Sequence, residues 1–180
     1  MKYLKMKFIL ALAISFVSCA TSKKAAYHIN DVMVKILYGV PGPILPIHTQ
    51  VDDELKPYYE QFVNDAGIRR TKLNTGLETV KVVNEIESPD KDKGTRVIGV
   101  CIWHYYDNGV AVRNIEIVKS LLSDPIQLRL VVYHELGHCL LNLDHTPNNS
   151  KQIMDPISNL SDEYVTQNWN DLVNYEFESI

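Results

Sequence analysis

Apolar and polar positions change period several times along the chain, and each change predicts an element. Residues 31–40, DVMVKILYGV, alternate and end at Gly-Pro, which predicts a strand. Residues 41–50 carry three prolines and read as a loop. DDELKPYYEQFVNDAG opens with acids that can cap and closes at Gly67, predicting a helix over 52–66, with Pro57 near its first turn. Alternation resumes over 76–86, and ESPDKDKG over 87–94 is a polar turn. The β-branched run TRVIGVCIW (95–103) and VAVRNIEIV (110–118) flank Asn108-Gly109, a strong hairpin signal. Asp124 can then cap a helix with Pro125 in its first position, running to about Asn142. HTPNNSKQIMDPISN is a loop, and Ser161 with two following acids opens a final helix. The order is β, α, several β, α, loop, α, so the expected class is α+β in one domain.

The first eighteen residues follow a different logic. Lys2, Lys5 and Lys7 precede a ten-residue apolar run and a small residue, Ser18, before Cys19. That order is the pattern of an export signal, and the run is too short to span a bilayer as a helix. FVSC resembles a bacterial lipoprotein signal, which implies acylation of Cys19. The expected organisation is a signal peptide (1–18), a tether (19–30) and one domain (31–180). The expected location is outside the cytoplasm, lipid-anchored to a bacterial membrane on its periplasmic or cell-surface side. Cys101 and Cys139 remain. Outside the cytoplasm they can pair, but as small core residues they can equally stay free thiols.

A net charge of -4 gives no basic field, so nucleic acid is not an expected partner. The chemistry concentrates in HELGHCLLNLDH, which holds three of the six histidines in twelve residues. His134 and His138 are one helical turn apart and can share a metal ion, while Glu135 points elsewhere and can hold a metal-bound water. A third ligand is needed. On an unbroken helix His145 would lie about 10 Å further along the axis than His138. The chain must therefore turn back between them, and Asn142 tolerates the left-handed conformation that ends helices.

HELGHCLLNLDH followed by IMDP resembles the metzincin zinc endopeptidases, whose motif is H-E-x-x-H-x-x-G-x-x-H with a Met-turn. The resemblance implies a mixed twisted sheet, an active-site helix, a Met-turn at Met154 and a C-terminal helix. It also implies Zn2+ held by His134, His138 and His145, with Glu135 as general base acting on a peptide or protein substrate. This chain departs from the pattern by one residue. Leu141 and Asp144 stand where the motif has glycine and its last histidine. Either Asn142 replaces the glycine and His145 is the ligand, or the spacing is kept and Asp144 is; the turn chemistry favours His145. His28, His48 and His104 stand alone. Glu163 and Glu176 are the downstream acids available to another zinc architecture, and Tyr164 and Tyr175 are available to assist an oxyanion. The strand over 95–103 is either a core strand or a sheet edge that pairs with substrate. A monomer is expected. Two other function classes fit the same residues: a tethered binding lipoprotein with a non-catalytic metal site, and a zinc amidase that does not act on peptides.

Overall fold

The computed structural model describes residues 48–87, 97–106, 111–147, 149–156 and 160–178, together with the backbone of 25–29 and 32–36. The predicted signal peptide and Cys19 lie outside the described residues. The described strands are β1 (Ala25–Ile29), β2 (Val32–Ile36), β3 (Gln50–Val51), β4 (Leu77–Val83), β5 (Gly99–Tyr105) and β6 (Ala111–Val118). They form one mixed sheet in the order β1-β2-β5-β6-β4-β3. The β1–β2 and β5–β6 pairs are antiparallel; β2–β5, β4–β6 and β3–β4 are parallel. Among the described residues three α-helices accompany the sheet: α1 (Lys56–Ile68), α2 (Pro125–Leu136) and α3 (Asp162–Glu178). The class is α+β, as the element order predicts. Among the described residues no helix is long and apolar enough to cross a membrane.

Several boundaries differ from the sequence reading, each for a local reason. Strand β1 occupies part of the expected tether, and β3 occupies the end of the proline-rich loop. Helix α1 begins at Lys56 because Asp52 is otherwise engaged: its carboxylate accepts the Val82 N–H at 2.7 Å, tying the helix approach to β4 instead of capping the helix. Strand β5 starts at Gly99, four residues later than expected. The β5–β6 register joins Tyr105 to Ala111, which is the hairpin that Asn108-Gly109 predicts, although the turn itself lies outside the described residues. β2 runs alongside Trp103–Tyr105, so this part of β5 is not a sheet edge.

Helix α2 is the centre of the molecule. Its buried residues include Leu128, Leu130, Val131, Val132, Tyr133, Glu135 and Leu136, more than one face of a helix holds. Tyr133 links all three helices. Its ring meets Phe62 of α1 at 5.1 Å and Trp169 of α3 at 4.8 Å, both edge-on, and its hydroxyl donates to the Asp65 carboxylate at 2.7 Å. The Arg129 guanidinium lies 3.8 Å above the Trp169 ring. Aromatic edges and a cation over a π face add directional energy to the area these residues bury.

Glu176 of α3 is sealed in the same core, and neither carboxylate oxygen has a hydrogen-bond partner among the described residues. Burial, then the nearby Asp65 charge, holds its pKa well above the ordinary carboxylate range. The folded chain therefore keeps a proton that the unfolded chain gives up once pH exceeds the ordinary glutamate pKa. The unfolded state then binds fewer protons, and stability falls as pH rises. Glu176→Gln is expected to remove up to about 1.4 kcal/mol of that fall per pH unit. Urea midpoints of both proteins between about pH 5 and 8 check this; parallel profiles would refute it.

Candidate metal centre

The histidine segment begins as its sequence suggests. The Asp124 carboxylate accepts the Gln127 N–H at 3.1 Å, and Pro125 opens α2. His134 and His138 follow one turn apart. The chain then departs from the α-helix: Gly137–Leu141 form a π-helical turn, which Asn142 ends at φ 56°, ψ 35°. The amides of Asn142 and Leu143 both return to the Gly137 carbonyl. A π turn takes up one more residue than an α turn, and the left-handed Asn142 reverses the chain. Together they bring His145 back to the helix it has just left.

The three imidazoles converge. His134 Nε2 lies 3.1 Å from His138 Nε2, and His145 Nε2 lies 3.0 Å from each of them. The opposite ring nitrogens decide the chemistry. His134 Nδ1 sits 2.6 Å from the Ile153 carbonyl oxygen, and His138 Nδ1 sits 2.6 Å from that of Leu143. A carbonyl only accepts, so each Nδ1 carries the hydrogen, and in a neutral ring Nε2 is then a bare lone pair. Two lone pairs aimed at each other at this distance repel unless a positive centre lies between them. A proton on His145 Nε2 serves one such contact well, whereas a cation serves all three. A metal bound tetrahedrally at about 2.0–2.1 Å spaces its nitrogens by about 3.3–3.4 Å, close to the triangle seen here. The three histidines thus form a group able to hold a metal ion.

Electrostatics agrees with this donor set. Burial first, then the neighbouring His138 ring, pushes the His134 pKa down to about 3. The ring is therefore neutral at ordinary pH, the form that binds metals. Burial pushes the Glu135 pKa up to about 8, opposed by a backbone hydrogen bond from Cys101. The Glu135 carboxylate turns toward β5, into space left by Gly99: a Cβ at position 99 would come within 2.7 Å of Glu135 Oε1. Glu135 adjoins His134 in the chain, and its carboxylate is not part of the histidine group. Cys101 also forms a disulfide with Cys139, so the two thiols are paired and not free. One residue of β5 thereby holds both Glu135 and the residue next to His138.

The loop after His145 is tied back on itself. The Thr146 N–H donates to the Met154 carbonyl at 2.9 Å, and the Ser150 N–H to the buried Asp155 carboxylate at 2.8 Å. Met154 is buried, with its sulfur against Gly137, between the two helical histidines; a Cβ on residue 137 would stand 2.7 Å from that sulfur and 2.7 Å from Glu176 Oε1. Asp144 is exposed and outside the histidine group. Glu176 packs behind Gly137 and Glu163 lies in the first turn of α3, so neither acid joins the group. Tyr164 has Lys151 5.6 Å from its ring centre, and Tyr175 is exposed. Ile153, Leu143 and Gly99 act through backbone atoms or through the lack of a side chain, so nothing in their side-chain chemistry marks them in the sequence. Cys101 was visible only as a possible pairing partner. Comparisons with protein-family models, curated proteins and solved structures find no match for this chain.

Two variants probe this construction. Gly137→Ala is expected to cost about 1–3 kcal/mol through overpacking against Met154 and Glu176, and to weaken metal uptake, as read by denaturation and metal titration; unchanged values in both would contradict the packing argument. The disulfide closes a separation of 38 residues. The Cys101→Ser/Cys139→Ser double variant should lose about 3–4 kcal/mol in chemical denaturation, and a midpoint equal to that of the oxidised wild type would count against a stapling role.

Proposed function

We propose that the chain is a zinc-dependent metalloendopeptidase of metzincin-like design. The observation that carries this is the triangle of three Nε2 atoms, two of them fixed as lone-pair donors by Nδ1–carbonyl contacts, with the buried Glu135 next to His134 in the chain. Three neutral imidazoles with a fourth position left for solvent or substrate are a donor set suited to catalytic zinc. The metzincin reading has two further supports. The π turn absorbs the one residue by which this motif exceeds the family spacing, and Met154 packs beneath the ligand helix at Gly137.

His134, His138 and His145 would hold the ion. When bound, zinc supplies a Lewis acid that polarises the scissile carbonyl and acidifies water. Glu135 takes the proton of the attacking water and delivers it to the leaving amine. Burial pushes its carboxyl toward the neutral form, and the Cys101 backbone hydrogen bond opposes that push, toward the ionised form that a base requires. Ile153 and Leu143 keep two of the ligand rings in the tautomer and orientation the task needs. The proposal extends to setting: an exported monomer anchored through Cys19, acting on peptide or protein substrates outside the cytoplasm.

Elemental analysis of the domain and two variants is the first test. One zinc per chain is expected in the wild type and in Asp144→Ala, and loss of zinc in His145→Ala. Absence of zinc in a carefully reloaded wild type would overturn the reading. Cleavage of a mixed peptide library is expected from the loaded wild type, with Glu135→Gln retaining zinc but slower by at least about 100-fold. Loaded protein that cleaves no peptide would refute the peptidase assignment while leaving the metal centre standing.

A further inference from the structure

Arg113 of β6 is a buried cation away from the histidines, and the chemistry above does not use it. It is only 8% exposed. Its Nη1 donates to the Thr75 carbonyl at 2.6 Å, its Nη2 to Asn142 Oδ1 at 3.3 Å, and its guanidinium lies 4.5 Å above the Trp103 ring centre. The partners matter because of where they sit. Asn142 is the left-handed residue that turns the chain toward His145. Trp103 Nε1 donates to the Cys101 sulfur at 3.0 Å, on the disulfide that holds Cys139 beside His138. Thr75 belongs to the segment whose Asn74 N–H caps the Leu140 carbonyl at 2.8 Å, within the π turn. The Arg113 amide itself donates to Gly76 O at 2.7 Å, and Gly76, at φ +94°, has no room for a Cβ beside the Ala111 carbonyl. One planar fork therefore contacts Asn142 directly and, through Trp103 and Thr75, adjoins the other two straps on the turn between the second and third histidines.

We propose that Arg113 is a positioning residue for the metal centre, setting metal affinity by holding Asn142 in the left-handed conformation that delivers His145. This rests on the histidine triangle being a metal site. Asparagine tolerates φ 56° better than other non-glycine residues, yet its side chain leaves other conformations open, and the hydrogen bond from the Arg113 guanidinium to Asn142 Oδ1 favours this one geometry. Lysine cannot reproduce the grip, since it lacks the planar fork that reaches Thr75 and Asn142 together and stacks on Trp103.

The test is a double-mutant cycle read by zinc affinity, with zinc ions alone as probe and a chromophoric chelator as competitor. Arg113→Met is expected to bind zinc about 10–100-fold more weakly than the wild type. Asn142→Gly adopts the left-handed turn without strain. In that background the same Arg113 substitution should cost no more than about threefold. Arg113→Lys is carried through the same cycle, so the comparison stands if the Met variant fails to fold. Wild-type affinity in either Arg113 variant would overturn the proposal. So would an equal loss with and without Asn142→Gly, which would mean that Arg113 only packs the core. A wild type that takes up no zinc would remove the metal reading itself, a result distinct from either of these.

Discussion

The structure depends on one constraint: three imidazole Nε2 atoms held about 3 Å apart, two with their lone pairs facing inward. Two imidazoles on one helical face reach each other readily, but a third from the same stretch of chain does not. The helix must stop, reverse and return within seven residues of His138. The π turn, the left-handed Asn142 and the loop closed by Thr146 and Met154 are the means of that return. The same detour supplies the carbonyls of Leu143 and Ile153, which fix the tautomers of the two helical histidines. Leu143, on the way to His145, and Ile153, after it, thus orient the two helical histidines.

Placing this arrangement at the centre of the fold has an electrostatic cost. Helix α2 is buried on most sides, so its polar side chains must each find a site shaped for them. Glycine at 99 leaves the notch in which Glu135 lodges, and glycine at 137 lets Met154 and Glu176 approach the helix between two histidines. Glu135 receives a backbone hydrogen bond, whereas Glu176 has none among the described residues. Both carboxyls are pushed toward the neutral form by burial. The disulfide and the Arg113 contacts lie on the side of the turn facing the sheet. Both join the segment around the histidines to the sheet, and neighbours whose own rotamers are locked are what a metal centre there would need.

Much of this was legible before any coordinates. Period-two alternation located β4, the Asn108-Gly109 hairpin signal located β6 as a return strand, and Asp124-Pro125 located the start of α2, because burial on one face, turn chemistry and helix capping leave local marks. The i, i+4 histidines and the left-handed preference of asparagine were enough to favour His145 over Asp144. Other features left no such mark. Asp52 looks like a helix cap, but its carboxylate bonds to β4. The short β3 exists through its pairing with β4, which no local pattern announces.

The sequence by itself determined the donor types, their helical phase and the need for a reversal at Asn142, since these follow from residue chemistry and helix geometry alone. Only the tertiary structure decided that Leu140 and Asn142 would find partners in Asn74 and Arg113, that Cys101 would meet Cys139, and that Ile153 would face His134. Each of those choices joins segments far apart in the chain. Hydrogen bonds that satisfy polar groups and a covalent cross-link fix them, and both depend on the packed arrangement of distant segments, which a local pattern of residues does not encode.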